Sequence, residues 1–412
     1  MNKKDTGILR NSLLNTIGLV LYFFVQWLTT VIAVRFGSFE TAGIYAAIIS
    51  FCNIFYYFSL FGIRNFQISD VDRQYSEGQY NGARLICALI AFLGCIAAVL
   101  FKKETWPIAL SYLVYMGFKL SEAYTEGFFS ILQLEQRYDK IFVSYLAKAL
   151  VPAAAFALLL KGSGNLLTAL AAMTAGYILA IIAVDLPFFR NRKTVRLTFR
   201  GVGAILRQCT PLFLISLTVP VMNYATRAAV ESELGYYELG QYASLSSVIV
   251  VMSTMMGAVF LVLIPEISRS WKQRDRHRVL RYFGGVTVLM LLVGAVALVL
   301  GKFWGAPVCS LIFGKEILAN IDLLVPLLIS ATVLMCKSFY SSMLVPLERR
   351  GLLLLGELTG MLVCVLTARP FTHHWGLQGV NYSYLLGLVI QLILLSTFAF
   401  ATVVIPTKER TK

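Results

Sequence analysis

The chain has 412 residues, of which 58% are hydrophobic and 14% charged, with a formal net charge of +15. Its apolar residues fall into blocks of roughly 18 to 25, the length at which an α-helix crosses a hydrocarbon core, and that excludes a soluble globular protein. The positive charge does not signal nucleic-acid binding, because it is strongly biased towards alternate connecting segments.

Hydropathy predicts twelve spans in chain order, at about 11–34, 41–63, 83–101, 106–129, 139–160, 165–188, 204–230, 240–264, 280–300, 322–346, 351–371 and 376–404. The expected fold class is therefore all-α and polytopic. The first span follows Lys3, Lys4 and Arg10 in the manner of a signal peptide, but its apolar run is too long and no small-residue cleavage site follows, so it is expected to be retained. The stretch from Phe303 to Ile321 is broken by Pro307, Gly314, Lys315 and Glu316 and is expected to be a re-entrant or interfacial approach to the tenth span.

Assigning Lys and Arg to alternate sides puts 25 on one and 7 on the other. The rich side includes Arg64, Arg73, Arg84, Arg137, Lys140, the runs Arg190 to Arg207 and Arg269 to Arg281, and both termini. The positive-inside rule makes that side cytoplasmic and accounts for these residues by topology alone. Seven cysteines lie almost entirely inside spans without a CxxC pair, and His277, His373 and His374 form no ligand cluster with them, so neither a disulfide framework nor a metal site is indicated and no cofactor is expected. The longest connection, between the sixth and seventh spans, is about 15 residues, which leaves no soluble domain and confines function to the bundle and its mouths. That argues against membrane glycosyltransferases and polymerases, which usually carry a large outer loop.

Gly37-Ser38-Phe39-Glu40-Thr41-Ala42-Gly43-Ile44-Tyr45 reappears, one residue shorter, as Gly235-Tyr236-Tyr237-Glu238-Leu239-Gly240-Gln241-Tyr242. Both copies join an odd span to the next even one, six spans apart, which predicts parallel six-helix repeats. The two lobes are expected at 1–195 and 196–412, joined by the basic linker.

An ionisable group at the bilayer centre costs about 2.5 to 3.5 kcal/mol on insertion scales, so the few present are expected to face protein or water. In the fourth span Tyr112, Tyr115, Lys119, Glu122 and Glu126 recur at helical spacing and share one face. Asn11, Asn15, Gly18, Tyr22, Gln26 and Thr29 form a second stripe on the first span, and Asn381, Tyr384 and Gln391 a third on the last. These stripes predict a hydrated cavity between the lobes holding Lys119, Lys148, Arg227 and Lys337, with Arg35 at its outer end. An ammonium or guanidinium in a low-dielectric pocket suits a phosphate or diphosphate, and an arginine can grip two oxygens at once. The alternative is that these cations pair with Glu122, Glu126, Asp185 and Glu357 to hold helices together. Pro152, Pro220 and Pro265 are candidate kinks. There is no GxxxxGK[ST] run and hence no P-loop, nor a hydrolytic triad or paired-acid signature, so the chain is not expected to be an enzyme.

Ala33-Val34-Arg35-Phe36-Gly37 with Gly43-Ile44-Tyr45, Phe61-Gly62-Ile63-Arg64, Gly240-Gln241-Tyr242, Pro265-Glu266-Ile267-Ser268 and Phe313-Gly314-Lys315-Glu316 occur in an order and spacing that resembles the bacterial polysaccharide (O-antigen type) flippases of the multidrug/oligosaccharidyl-lipid/polysaccharide exporter superfamily. The resemblance spans nearly the whole chain. It implies two six-helix lobes that alternate between inward-open and outward-open states in the bacterial plasma membrane and move an oligosaccharide on an undecaprenyl diphosphate carrier between leaflets. Membrane lipids, a polysaccharide polymerase and chain-length proteins are the implied partners; transport is expected to be driven by an ion or proton gradient or by removal of product, and in the first case Glu122, Glu126 or Glu357 are the candidate coupling carboxylates. The rival readings are a multidrug antiporter of the same superfamily, which should prefer an acidic cavity, and a membrane glycosyltransferase or polymerase.

Overall fold

The computed structural model describes the backbone of residues 3–70, 73–189 and 197–404, and the side chains within it apart from those of 3–13, 251, 254–259, 261, 262 and 265. Asn11, Pro265, the basic side chains Lys3, Lys4 and Arg10, Arg190 to Arg196 and the C-terminal basic residues lie outside that set. All regular structure among the described residues is helical: α1 (Lys3–Phe36), α2 (Phe39–Leu60), α3 (Ile63–Ser69), α4 (Glu77–Lys102), α5 (Trp106–Leu134), α6 (Tyr138–Ser163), α7 (Leu166–Ala180), α8 (Leu186–Phe189), α9 (Val202–Glu233), α10 (Tyr236–Lys272), α11 (Arg276–Phe313), α12 (Leu324–Leu344) and α13 (Arg350–Val404). Nine of these helical segments are long and apolar enough to cross a membrane. The protein is a multi-pass membrane protein.

The helices begin and end where the sequence provides caps. Ser38 accepts a hydrogen bond from the Thr41 backbone N–H and opens α2, and Ser76 and Gln79 form a reciprocal capping box at α4. The second copy of the repeat does the same work with different chemistry, because Gly235 enters α10 at a φ of 100° with Glu238 in the first helical turn. α13 is 55 residues long, far more than a bilayer requires, and it turns back at Gly376, whose φ of 59° and ψ of −138° favour glycine. Ser383 then donates to the Cys364 carbonyl, Gln391 donates to the Glu357 carbonyl, and Gly387 meets the backbone of Gly360, so the two arms run antiparallel. The break falls between the last two predicted spans.

One expectation is corrected. The stretch from Phe303 to Ile321 does not re-enter as a separate segment. α11 continues unbroken through Pro307 to Phe313 and stops at Gly314, after which a 3-10 turn, Lys315–Leu323, leads into α12. A proline within a helix forfeits one backbone bond, which can kink a helix without ending it.

The chain divides into two compact units, Met1–Pro220 and Val221–Lys412, so that Pro220, inside α9, is the last residue of the first. In unit 1, α1 packs along α6, α6 along α7, α7 on α5, and α5 on α2, which also meets α4. Pro152 lies within α6 without ending it, and Gly176 of α7 lets the two backbones approach there. In unit 2, α12 is packed by α10, α11 and α13. Phe283, Val286, Met290 and Gly294 of α11 are buried, whereas Leu289, Leu292, Val296 and Val299 are exposed, the reverse of a soluble protein's outer face and the pattern for a lipid-facing one.

A clamp closes one end of unit 1. The Thr198 N–H donates to the Gly78 carbonyl at 3.1 Å, and Gln79 Nε2 donates to the Arg200 carbonyl at 2.8 Å, tying the chain that enters α9 to the start of α4. Phe213 of α9 stacks on Phe61, with ring centroids 4.1 Å apart. A Cβ on Gly82 would collide with the Thr198 carbonyl oxygen. Gly82→Val is therefore expected to cost about 1 to 3 kcal/mol by overpacking, read as a fall of roughly 3 to 10 °C in the melting midpoint of the detergent-solubilised protein. An unchanged midpoint would mean that the clamp does not hold.

Candidate functional site

The site is built at the turn between α2 and α3. Phe61 and Gly62 take successive left-handed conformations, φ of 45° and 68°, and this reversal starts α3 so that Arg64 faces α5. A left-handed φ is strained for phenylalanine, and its stacking on Phe213 holds it there. Around this turn lies a pocket of about 430 Å³, within the size range of small-molecule sites. Its walls include Asn15, Tyr57, Arg64, Asn65, Arg84, Glu126 and Gln133, and all its lining residues belong to unit 1.

Helix α5 carries the cradle for both arginines. Arg64 donates from Nη1 to Glu126 Oε2 at 2.8 Å and from Nη2 to Gln133 Oε1 at 3.0 Å. One residue beyond Glu126, Gly127 provides a flat shelf against which the Arg84 side chain lies. Arg84 donates from Nη2 to Gln67 Oε1 at 2.6 Å and to Ser130 Oγ at 3.0 Å, and from Nη1 to Asn81 Oδ1 at 3.3 Å. All three acceptors are neutral. Among the described residues no carboxylate reaches ion-pairing distance of this guanidinium, and three of its five N–H donors are taken up. The Asn15 amide oxygen, in the same pocket, has no hydrogen-bond partner among the described residues.

The other deep cations are neutralised internally. Lys119 lies 2.8 Å from Glu122, with the Tyr56 ring 4.8 Å from its ammonium. Lys148 lies 2.5 Å from Asp185, and both side chains are 1% exposed. Ser144 donates to the same carboxylate at 2.6 Å. This pairing depends on a π-helical turn, Ile181–Asp185, after α7. In an unbroken α-helix Asp185 would point roughly 80° away from Tyr177, whereas the extra residue of a π turn brings the two close to one face. Tyr177 and Asp185 accordingly both border Lys148. In unit 2, Lys337 lies 2.8 Å from Glu357, which also accepts from Ser341 at 2.9 Å. Lys148 and Lys337 are thus each paired with a carboxylate of another segment, the contact that the alternative reading expects. Arg227 is half-buried near Tyr242 and Tyr384, and Arg35 is exposed in the last turn of α1.

The structure brings Lys119, Lys148, Glu122 and Glu126 together in unit 1, and places Arg227, Lys337 and Glu357 in unit 2. It adds Arg64 and Arg84, which a count of basic residues by side had explained as topology markers. Four cations of unit 1, Arg64, Arg84, Lys119 and Lys148, then face three carboxylates, Glu122, Glu126 and Asp185. The α1 stripe is used within the protein, since Gln26 donates to the Tyr22 hydroxyl and Thr29 bonds the Tyr45 hydroxyl at 3.0 Å. On α13, Asn381 accepts from Ser330, while the Asn381 amide nitrogen and the Gln391 amide oxygen are buried without hydrogen-bond partners among the described residues. Among the described residues no cluster of three or more His, Cys, Asp or Glu has metal-binding geometry, and the cysteines are free thiols.

Comparison with known proteins places the fold. No family model matches the chain. The capsular polysaccharide biosynthesis protein CapF of Staphylococcus aureus is 22% identical over 304 residues, covering 72% of this chain and 75% of that protein. An inward-facing multidrug resistance MATE family transporter of the MOP superfamily superposes with a TM-score of 0.68 at 14% identity, covering 93% of each chain. An outward-facing MATE structure gives 0.64 at 14% identity over 96% of this chain and 95% of the other. A MOP superfamily transporter from Pyrococcus furiosus, described as having a binding pocket of reverse polarity that suggests a different function, gives 0.65 at 13% identity over 96% and 94%. The fold is the two-lobed, all-helical fold of MATE-like transporters.

Proposed function

We propose that this chain, which has a transporter fold, is a flippase that carries an undecaprenyl-diphosphate-linked oligosaccharide from the inner to the outer leaflet of the bacterial plasma membrane. It crosses the bilayer twelve times with both termini in the cytoplasm, alternates access between its two lobes, and serves the assembly of an O-antigen, a capsule or another exopolysaccharide. The product would pass to polymerase and chain-length proteins.

The observation that carries this reading is the Arg84 guanidinium. A cation held at depth by neutral acceptors alone is costly, and that cost is recovered when an anion arrives. Arg84 and Arg64 offer planar donor forks suited to phosphate oxygens, and Asn15, Asn65 and Gln133 supply the amide groups that sugar hydroxyls need. The pocket adjoins the α2–α3 turn, at the end of the bundle that the basic residues assign to the cytoplasm, where a lipid-linked precursor would be loaded. Lys119 and Arg227 remain proposed ligands along the route, and Arg35 a peripheral one. Lys148 and Lys337 serve structure in this reading. Likeness to a capsular polysaccharide biosynthesis protein supports the same class of substrate.

A multidrug antiporter for cationic compounds would present the opposite polarity. The two are separated by titrating the purified protein with a fluorescent undecaprenyl diphosphate oligosaccharide and with ethidium. Saturable binding of the lipid and none of the dye is expected; the reverse selectivity would make the chain an antiporter.

A further inference from the structure

Arg64 and Arg84 are both held by α5, but of the two only Arg64 is ion-paired to Glu126. Arg84 has neutral partners only, whereas the Arg64 fork spends one arm on the Glu126 carboxylate and the other on Gln133. Glu126 itself lines the pocket, with its side chain 20% exposed. Carboxylate and phosphate compete for the same guanidinium donors, because each accepts two parallel N–H bonds at similar distances. A phosphate seated between the arginines would also face the Glu126 charge at close range, where like charges repel.

The groups around Glu126 limit where that charge can go. On α5, Glu122 already holds Lys119. From α6, Tyr145 and Lys148 face it, and Lys148 is committed to Asp185. From α2 and α7 it meets the phenols of Tyr56, Tyr57 and Tyr177. Arg84 also feels this charge but is held by neutral acceptors and makes no ion pair with it, so the direct partner of the carboxylate is Arg64, to which it returns whenever the pocket empties.

We propose that Glu126 is an internal competitor for the head-group anion: it occupies Arg64 in the empty pocket, yields that arginine to a phosphate of the ligand, and reclaims it to speed release. This rests on the reading of the pocket as a head-group site, and it gives Glu126 a role different from ion coupling. It also explains why a carboxylate stands in a pocket built for an anion. A tight site would hold its cargo, and a transporter must let go.

The test uses farnesyl diphosphate, a soluble prenyl diphosphate, titrated into the full-length protein in detergent, with dissociation followed by stopped flow. Glu126→Gln should bind at least 10-fold more tightly, mainly through slower dissociation. Glu126→Asp withdraws the carboxylate by one methylene, should tighten binding by a smaller factor, and serves if the glutamine variant folds poorly. If Glu126 merely positions Arg64, both variants bind more weakly than wild type, and weaker or unchanged binding overturns the competitor role while leaving the head-group site intact. If neither the wild type nor any Glu126 variant binds farnesyl diphosphate, the head-group reading fails and the competitor role falls with it.

Discussion

Arg84→Gln is expected to lower the affinity for a prenyl diphosphate by about 100-fold, equivalent to about 2.7 kcal/mol, with little change in the protein's melting midpoint. The charge of Arg84 is not part of an internal ion pair among the described residues, so its loss strands no carboxylate. Glutamine retains a donor for Ser130 or Gln67 but offers no fork and no charge. Arg84→Lys should fall between the two, since a lysine restores the charge but cannot span Gln67, Ser130 and a phosphate together. Isothermal titration of matched, monodisperse preparations checks the order. Equal affinities for all three proteins would remove Arg84 from the site.

The second large effect concerns stability. Lys148→Met leaves Asp185 buried without its cation at a position 1% exposed, and breaking such a pair costs about 3 to 5 kcal/mol. The expected result is a fall of roughly 10 °C or more in the melting midpoint. Lys148→Met combined with Asp185→Leu should recover most of that loss, because a buried pair replaced by apolar groups of similar volume is often neutral. The double variant also separates two roles for the lysine. If it is stable and still binds the prenyl diphosphate, Lys148 holds α6 to the π-helical turn that follows α7. Recovered stability with binding lost would return Lys148 to the substrate site.

The fold was largely legible because bilayer thickness imposes a length on each apolar block. The predicted break between 371 and 376 coincides with the turn at Gly376, and the repeated glycine motif marks two helix entries, at Ser38 and Gly235. The end of α11 was not legible, since Pro307 and the charges after Gly314 read as a broken segment while the helix continues to Phe313. The stripe on α5 was visible as spacing, and Glu126 and Lys119 do sit in the polar interior of unit 1.

Arg64 and Arg84 were missed for a physical reason. Both lie near the ends of apolar blocks on the basic side, where the positive-inside rule predicts arginines whatever their contacts. Only the reversal at Phe61 and Gly62, with the shelf at Gly127, turns them inward, and neither is a hydropathy signal. Phe61-Gly62-Ile63-Arg64 held a usable clue, because a glycine directly before a new helix marks a reversal that aims the next side chains. Lys148 and Lys337 show a second limit of the sequence: a buried lysine in a span looks the same whether or not a carboxylate on another segment lies within reach, and both of these have one.

The most direct test of the central claim is flipping itself. Proteoliposomes carrying a fluorescent undecaprenyl diphosphate oligosaccharide in one leaflet are challenged with an impermeant quencher, and the rate at which protected lipid becomes accessible is compared for protein-free vesicles, wild type and Arg84→Gln at matched incorporation. Rapid exposure is expected with wild type, and a rate near the protein-free background with Arg84→Gln. Exposure with wild type no faster than in protein-free vesicles would contradict it.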